Sequence, residues 1–256
     1  SGLEPEESAL QAVHSSRVSV AETAALLDSA AETEAIDAGY ALARMGEAGI
    51  RELTDRLKSG TETAAQRAAY GLASCGDAAV DGLLEALAHS DERRRALACF
   101  ALGMTGGTHA GAEAALLRAL NDSSERVRRN ALEALGMLKN PSRHAVSAVA
   151  KRLEAAVSEE EDTSDTAVRD FILDQGYIKN KIAYTAALTL LRIGSHGEAD
   201  EVTGALARAL ESRDRYVRAY AFEALAQLRS PQAVEVLIRH SRTSRWCSDT
   251  TKASTF

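Results

Sequence analysis

Apolar positions along this chain follow the period of a helix, and the pattern itself recurs. Around Leu102 the small residues Ala98, Ala101 and Gly106 stand four before, one before and four after. The same frame fits Leu42 (Ala38, Ala41, Gly46), Leu72 (Ala68, Gly71, Gly76) and Leu190 (Ala186, Thr189, Gly194). It fits Leu135 (Ala131, Ala134) and Leu225 (Ala221, Ala224) without the closing glycine. These six anchors step by 30, 30, 33, 55 and 35 residues. Self-similarity at such a period marks a solenoid of stacked units.

Each unit reads as two helices. The anchor, the Ala at minus four and the residue at plus three (Met45, Cys75, Thr105, Leu138, Ile193, Leu228) share one helical face. Small residues beside the anchor let neighbouring helices approach closely. Gly46, Gly76, Gly106 and Gly194 stand where a left-handed helix end needs a residue without Cβ. A second apolar run follows, such as Ile50/Leu53/Leu57, Val146/Val149/Leu153 or Val202/Leu206/Leu210, again with helical spacing. Neither helix can bury its apolar face alone, so the units must stack. Ser19 with Glu22 predicts a capping box, and Ser90/Asp91 and Ser123/Ser124 predict further helix starts. Pro231 fits the first turn of a second helix, where a missing N–H costs nothing.

Val127-Arg128 with Ala131, Ala134 and Leu135, and Val217-Arg218 with Ala221, Ala224 and Leu225, resemble the HEAT-repeat family. Arg95, Ala98, Ala101, Leu102 and Gly106 form a third match, and Asp91 and Asp214 stand where that family often has a turn Asp. The form is the short one similar to phycobilisome-lyase-type repeats. The resemblance implies an all-α, right-handed α-solenoid of about six helix-turn-helix HEAT-like repeats. Ala35, Ala65 and Ala183 replace the family's Arg in three units, so an arginine ladder along the stack is broken.

The expected organisation is an N-terminal cap over 1–30, the repeat solenoid over 31–241 and a tail over 242–256. The long step between Leu135 and Leu190 leaves about twenty surplus residues, read as an inserted arm over 158–178. It opens on Glu159, Glu160, Glu161 and Asp162, and continues with amphipathic Val168/Phe171/Ile172. Bulky Ile172 stands where the frame requires Ala, which argues against a further true repeat. The tail is rich in Ser and Thr and holds the chain's one Trp, Trp246.

Charge and candidate chemistry narrow the function. Thirty basic against 37 acidic residues give a net charge of −7, which disfavours a dedicated nucleic-acid binder. Arg93, Arg94, Arg95, Arg126, Arg128, Arg129, Arg213, Arg215 and Arg218 recur at starts of first helices; we read them as stitching the stack rather than as an anion stripe. The acidic run lacks the spacing of a calcium loop, so no metal is expected. None of the six His sits in a metal motif, and no phosphate loop or nucleophile elbow occurs. Cys75 and Cys99 read as small hydrophobes, and Met45, Met104 and Met137 as packing. No run is apolar enough to span a membrane, and sparse Cys favours a reducing, cytoplasmic setting. The chain opens on Ser-Gly without Met, so a removed targeting segment would leave no trace here.

The expected function is a non-enzymatic interaction scaffold that needs no cofactor and binds a protein or peptide on a concave face made by the second helices. Contacts on that side would be Arg118, Lys151, Glu154, Arg208, Glu235 and Arg239, with Phe171 of the arm and Trp246 of the tail adding specificity. Two alternatives stand beside it. One is a bilin-lyase-like or cofactor-handling subunit using Cys247, His144 or the acidic arm; the other is nucleic-acid binding through the arginines.

Overall fold

The computed structural model describes residues 19–106, 109–160 and 181–243. The described residues form helices and turns without strands. A short helix α1 (Val20–Ala25) and a 3-10 turn (Leu26–Asp28) precede six helix pairs. The first helices are α2 (Glu32–Arg44), α4 (Glu62–Ala73), α6 (Glu92–Met104), α8 (Glu125–Leu135), α10 (Lys181–Ile193) and α12 (Arg215–Leu228). The second helices are α3 (Glu47–Ser59), α5 (Val80–Ala86), α7 (Ala110–Ala119), α9 (Arg143–Glu160), α11 (Ala199–Ala209) and α13 (Pro231–Thr243).

The pairs stack into two layers, first helices on first helices and second on second. The core runs between the layers. All six Leu anchors are buried in it, with Leu53, Leu83, Leu116, Leu153 and Leu206 arriving from the second layer. Each such leucine contributes about 1.5–3 kcal/mol by leaving water. The long step does not interrupt the stack: α10 packs on α8, and α11 on α9. Thr189 ties that joint by donating its hydroxyl to the Leu132 carbonyl at 2.9 Å, fully buried.

The small positions set how closely first helices approach. A Cβ on Gly103 would lie 2.7 Å from Cα of Ala134, and one on Gly71 would lie 2.7 Å from the Gly39 carbonyl oxygen. Gly46, Gly76 and Gly106 have φ of +69°, +58° and +89°, as a left-handed turn requires. Gly194 does not: it is the buried first residue of a 3-10 turn (Gly194–His196), and space is what it supplies there, since a Cβ would stand 3.3 Å from Cγ1 of Val202. At the end of α12 the left-handed residue is Arg229, with φ of 51°.

The capping box at Ser19 forms, with Glu22 answering the Ser19 N–H at 2.9 Å. Asp91 caps α6 through its side chain, while Ser124 starts α8 without a side-chain cap, its own N–H donating to Asp122 Oδ1 at 2.8 Å. The acidic run expected to open the arm begins inside α9, whose last described residues are Glu159 and Glu160. The remainder of the arm, residues 1–18 of the cap and the tail from 244 onward lie outside the described residues.

Candidate interaction surfaces

Of the arginines at the first-helix starts, Arg93, Arg126, Arg213 and Arg215 are exposed, while Arg94, Arg95, Arg128 and Arg218 are half-buried and serve backbone carbonyls. Arg95, Arg128 and Arg218 occupy the same place, seven residues before their anchors, and each donates to carbonyls of the turn that precedes its own helix. Arg95 reaches the His89 and Ser90 oxygens at 2.9 and 2.8 Å. Arg128 reaches Asp122 and Ser123 at 2.7 and 2.9 Å, and Arg218 reaches Ser212 at 2.6 Å. These turns follow helix ends, whose last carbonyls have no partner within the helix.

The ladder expected to be broken at Ala35 and Ala65 is completed from the next unit. Arg67 of α4 donates to the Leu27 and Ser29 carbonyls at 2.6 and 2.9 Å, closing the turn before α2. Arg94 of α6 donates to Leu57 and Gly60 at 2.6 and 2.7 Å, closing the turn before α4. Each alanine is thus relieved by an arginine one repeat further on.

Arg95 also grips Asp122 with two parallel bonds of 2.8 Å, both side chains only 15 % exposed. The guanidinium holds the Asp122 carboxyl below the ordinary carboxylate range, and the carboxylate pushes Arg95 up. Arg215 lies over the Tyr216 ring, 4.8 Å from its centre.

The second-helix residues expected to bind a partner lie on four successive second helices: Arg118 on α7, Lys151 and Glu154 on α9, Arg208 on α11, Glu235 and Arg239 on α13. All are exposed except Glu154, which is half-buried. Several hold one another or a neighbour: Lys151 pairs with Glu201 at 3.9 Å, Arg239 with Glu235 at 2.9 Å, and Arg208 donates to Ser158 at 3.2 Å. Exposed pairs of this kind contribute little to stability. Phe171 and Trp246 lie outside the described residues.

The aromatic residues are elsewhere. Every described Tyr and Phe is on a first helix: Tyr40, Tyr70, Phe100, Tyr184, Tyr216, Tyr220 and Phe222. Tyr40, Tyr70 and Phe100 occupy the same place in the first three repeats, two residues before the anchor. Tyr40 is exposed, Tyr70 and Phe100 half-buried, and the last two meet edge to face at 5.5 Å. Met104, one turn beyond Phe100, is 51 % exposed; it is therefore surface, not the packing residue expected, because it points away from the α6–α8 seam. Leu188 continues the row on α10, half-buried. The signal was present in the sequence as a 30-residue step of aromatics beside the anchors. A second cluster joins Tyr184 to Tyr220 at 5.2 Å and to Tyr216 at 6.5 Å. The hydrogen bond with the Tyr220 hydroxyl, then burial, pushes the Tyr184 phenol up to about 12.

Two family descriptions match this chain: HEAT repeats over residues 80–167, and the PBS lyase HEAT-like repeat over 217–242. These two stretches are HEAT repeats. Among solved structures it is similar to YibA of Escherichia coli, at 15 % identity and TM-score 0.55, covering 94 % of this chain and 81 % of that one. A designed armadillo repeat protein in complex with the peptide (KR)4 is similar at 18 % identity and TM-score 0.50, covering 82 % and 100 %. The complex of CpcE and CpcF of phycocyanin lyase from Nostoc shares 19 % identity over 88 % and 95 % of the two chains, but its TM-score of 0.40 is too low to bear on function. No curated protein sequence matches the chain.

Within the HEAT stack the described thiols are placed for packing. Cys99 is buried, and burial pushes its thiol up to about 12. Cys75 is half-buried and also pushed up by burial; its Sγ bonds the Gly71 carbonyl at 3.3 Å. In the folded protein Cys99 should alkylate ~10³-fold more slowly than a free thiol, since only the thiolate attacks. Peptide mapping after iodoacetamide treatment checks this; labelling of Cys99 at the free-thiol rate would contradict its burial. His109 and His89 use Nδ1 to accept backbone N–H groups at 3.1 and 2.9 Å, and His144 is exposed on α9. Among the described residues no group of His, Cys, Asp or Glu is arranged to hold a metal ion, and no helix is long and apolar enough to cross a membrane.

Proposed function

We propose that this HEAT array is a non-enzymatic scaffold that holds an extended segment of a partner protein across its first-helix layer. The observation that carries this reading is the row Tyr40, Tyr70, Phe100 and Met104, large side chains left partly open to water on adjacent helices. Tyr, Phe and Met are enriched where proteins bind one another, and they dominate the energy there. The rest of the core-facing pattern needs none of them at these places, since Glu133 and Glu223 take the same place in repeats four and six.

The spacing suggests the partner's form. Packed helices stand about 8–10 Å apart, which is roughly three residues of extended chain. A segment crossing the row would present an apolar side chain about every third residue. A stack of helical repeats can hold a peptide, as the designed armadillo complex with (KR)4 illustrates for the fold alone. The second-helix row from Arg118 to Arg239 is the alternative surface, and its exposed, mutually paired charges suit a partner of mixed charge.

A displayed library of random peptides tests the reading. Enriched sequences should carry apolar residues at every third position and should lose at least tenfold in affinity for a Tyr40→Ala/Phe100→Ala variant, as expected for loss of two anchors. Peptides that bind this variant unchanged but fail on Lys151→Glu/Arg208→Glu would move the site to the second layer. An absence of enrichment on either surface would count against a peptide-binding scaffold.

A further inference from the structure

Charge is divided unevenly along the first-helix layer. Among the described residues no ion pair or hydrogen bond engages the side chain of Arg126, Arg129, Lys181 or Arg192. All four stand on the adjacent helices α8 and α10, and all but half-buried Arg129 are exposed. Of the other described cations on first helices, all except Arg44 hold a carbonyl, a carboxylate or a ring. Arg126 and Lys181 occupy the same place, nine residues before their anchors, on helices that stand about 8–10 Å apart. Arg192 leans toward α8, its Cδ 3.5 Å from the Cβ that Gly136 lacks. The carboxylates on these two helices are Glu125 and Glu133, and Glu133 is half-buried beside Tyr184. On α2, α4 and α6 the balance is reversed. Glu32, Glu34, Asp37, Glu62 and Glu92 are exposed there, against exposed Arg44 and Arg93, and Arg93 is already paired with Glu62. In a chain of net charge −7 the surplus on α8 and α10 is a local exception.

We propose that the partner segment held across the first-helix layer carries acidic side chains where it crosses α8 and α10, next to the apolar ones that cross α2, α4 and α6. The inference rests on the reading of that layer as the binding surface and gives the segment its second half. Lys181 and Arg192 are eleven residues apart, about 16 Å along the helix, and Arg126 and Arg129 lie on the helix alongside. Charges spread that widely match several carboxylates in succession rather than one compact anion. Half-buried Met137 and Leu188 continue the apolar line between them. From Phe100 the path to α8 and then α10 is one and two helix spacings, about 10 and 20 Å, or about three and six residues of extended chain. The acidic side chains therefore fall about three to six residues beyond the last apolar one. Charge complementarity of this kind sets register more than affinity. The aromatic row repeats at equal steps and does not tell one repeat from the next, whereas an acidic stretch is repelled by the carboxylates of α2, α4 and α6 and settles only on α8 and α10.

The test selects random peptides on the full chain and, in parallel, on the full chain carrying Arg126→Glu/Lys181→Glu/Arg192→Glu. All three sites are exposed, so far-ultraviolet circular dichroism of the variant should match that of the unaltered chain. Peptides enriched on the unaltered chain should carry Asp or Glu about three to six residues beyond their last apolar anchor. Their affinity should fall about tenfold on the variant and fall again in high salt. Peptides enriched on the variant should carry Lys or Arg at those places instead. Enrichment of the apolar pattern without an acidic preference overturns this inference and leaves the scaffold reading standing. Acidic peptides that bind the variant unchanged place their carboxylates elsewhere, with the same consequence. No enrichment on either chain overturns both readings. Tighter binding of an oligothymidylate than of the enriched peptides, lost on the same variant, assigns the cations to single-stranded nucleic acid and overturns the inference as well.

Discussion

Replacing Gly103 by alanine is expected to destabilise the protein, although alanine is the better helix former by about 1 kcal/mol. The new Cβ would stand 2.7 Å from Cα and 2.8 Å from Cβ of Ala134, closer than carbon atoms pack. The neighbour is backbone, so the strain cannot be relieved by turning a side chain. Either α6 and α8 move apart or the seam opens, and overpacking of this kind costs about 1–3 kcal/mol. Gly103→Val should lie at or beyond the upper end of that range. Gly204 is the internal control. It also sits within a helix, α11, but nothing lies within 4 Å of the Cβ it lacks. Gly204→Ala should therefore stabilise by up to about 1 kcal/mol. Urea unfolding of the two alanine variants decides the matter, because propensity alone predicts the same sign for both and the stacking geometry predicts opposite signs.

Removing the Arg95 side chain should cost about 2–3 kcal/mol, the range for a charged hydrogen-bonded pair taken largely out of water. The loss has two parts: the His89 and Ser90 carbonyls lose their donor, and Asp122 keeps its charge without its partner. The pH dependence separates them. Asp122 has its folded carboxyl lowered from the ordinary value, about 3.9. Its contribution is accordingly complete above pH ~4 and is lost as pH falls through the lowered value. The stability gap between the unaltered protein and Arg95→Ala should hold constant at neutral pH and narrow below pH ~4. A gap that stays constant under acid would mean that the carbonyl contacts, and not the ion pair, carry the effect. Asp122→Asn should show the complementary pattern, a smaller loss at neutral pH and a flatter acid limb.

The parts of this fold legible in the sequence are those that depend on one repeat and its immediate neighbour. The anchors, the small residues beside them and the second apolar runs are read from spacing, because burial in a stack imposes the same face on every copy. What spacing does not show is how a side chain longer than one repeat's own turn is used. Arg94 reads as one of the arginines that stitch the stack and Arg67 draws no reading, but the partners of both are hidden in sequence, since the carbonyls they serve lie 34–40 residues earlier. Met104 looks like core by composition, yet its helix turns it away from the seam. Gly194 looks like its three counterparts, but Ile193 runs directly into a 3-10 turn and no left-handed residue is needed. The aromatic row is hard to read for a related reason: Tyr40, Tyr70 and Phe100 sit next to the anchors, hidden among the apolar positions that define the repeat, whereas the charged residues of the second helices stand out.

The borrowed arginines also bear on how the chain comes into being. Synthesis delivers the N-terminal repeats first, but the turns before α2 and α4 are closed by Arg67 and Arg94, each supplied by the repeat made afterwards. A growing chain can form the helices of either of its first two repeats before it holds the arginine that finishes that repeat's turn. Each is completed backwards, one repeat late, and the third repeat is the earliest that emerges with its own arginine in place.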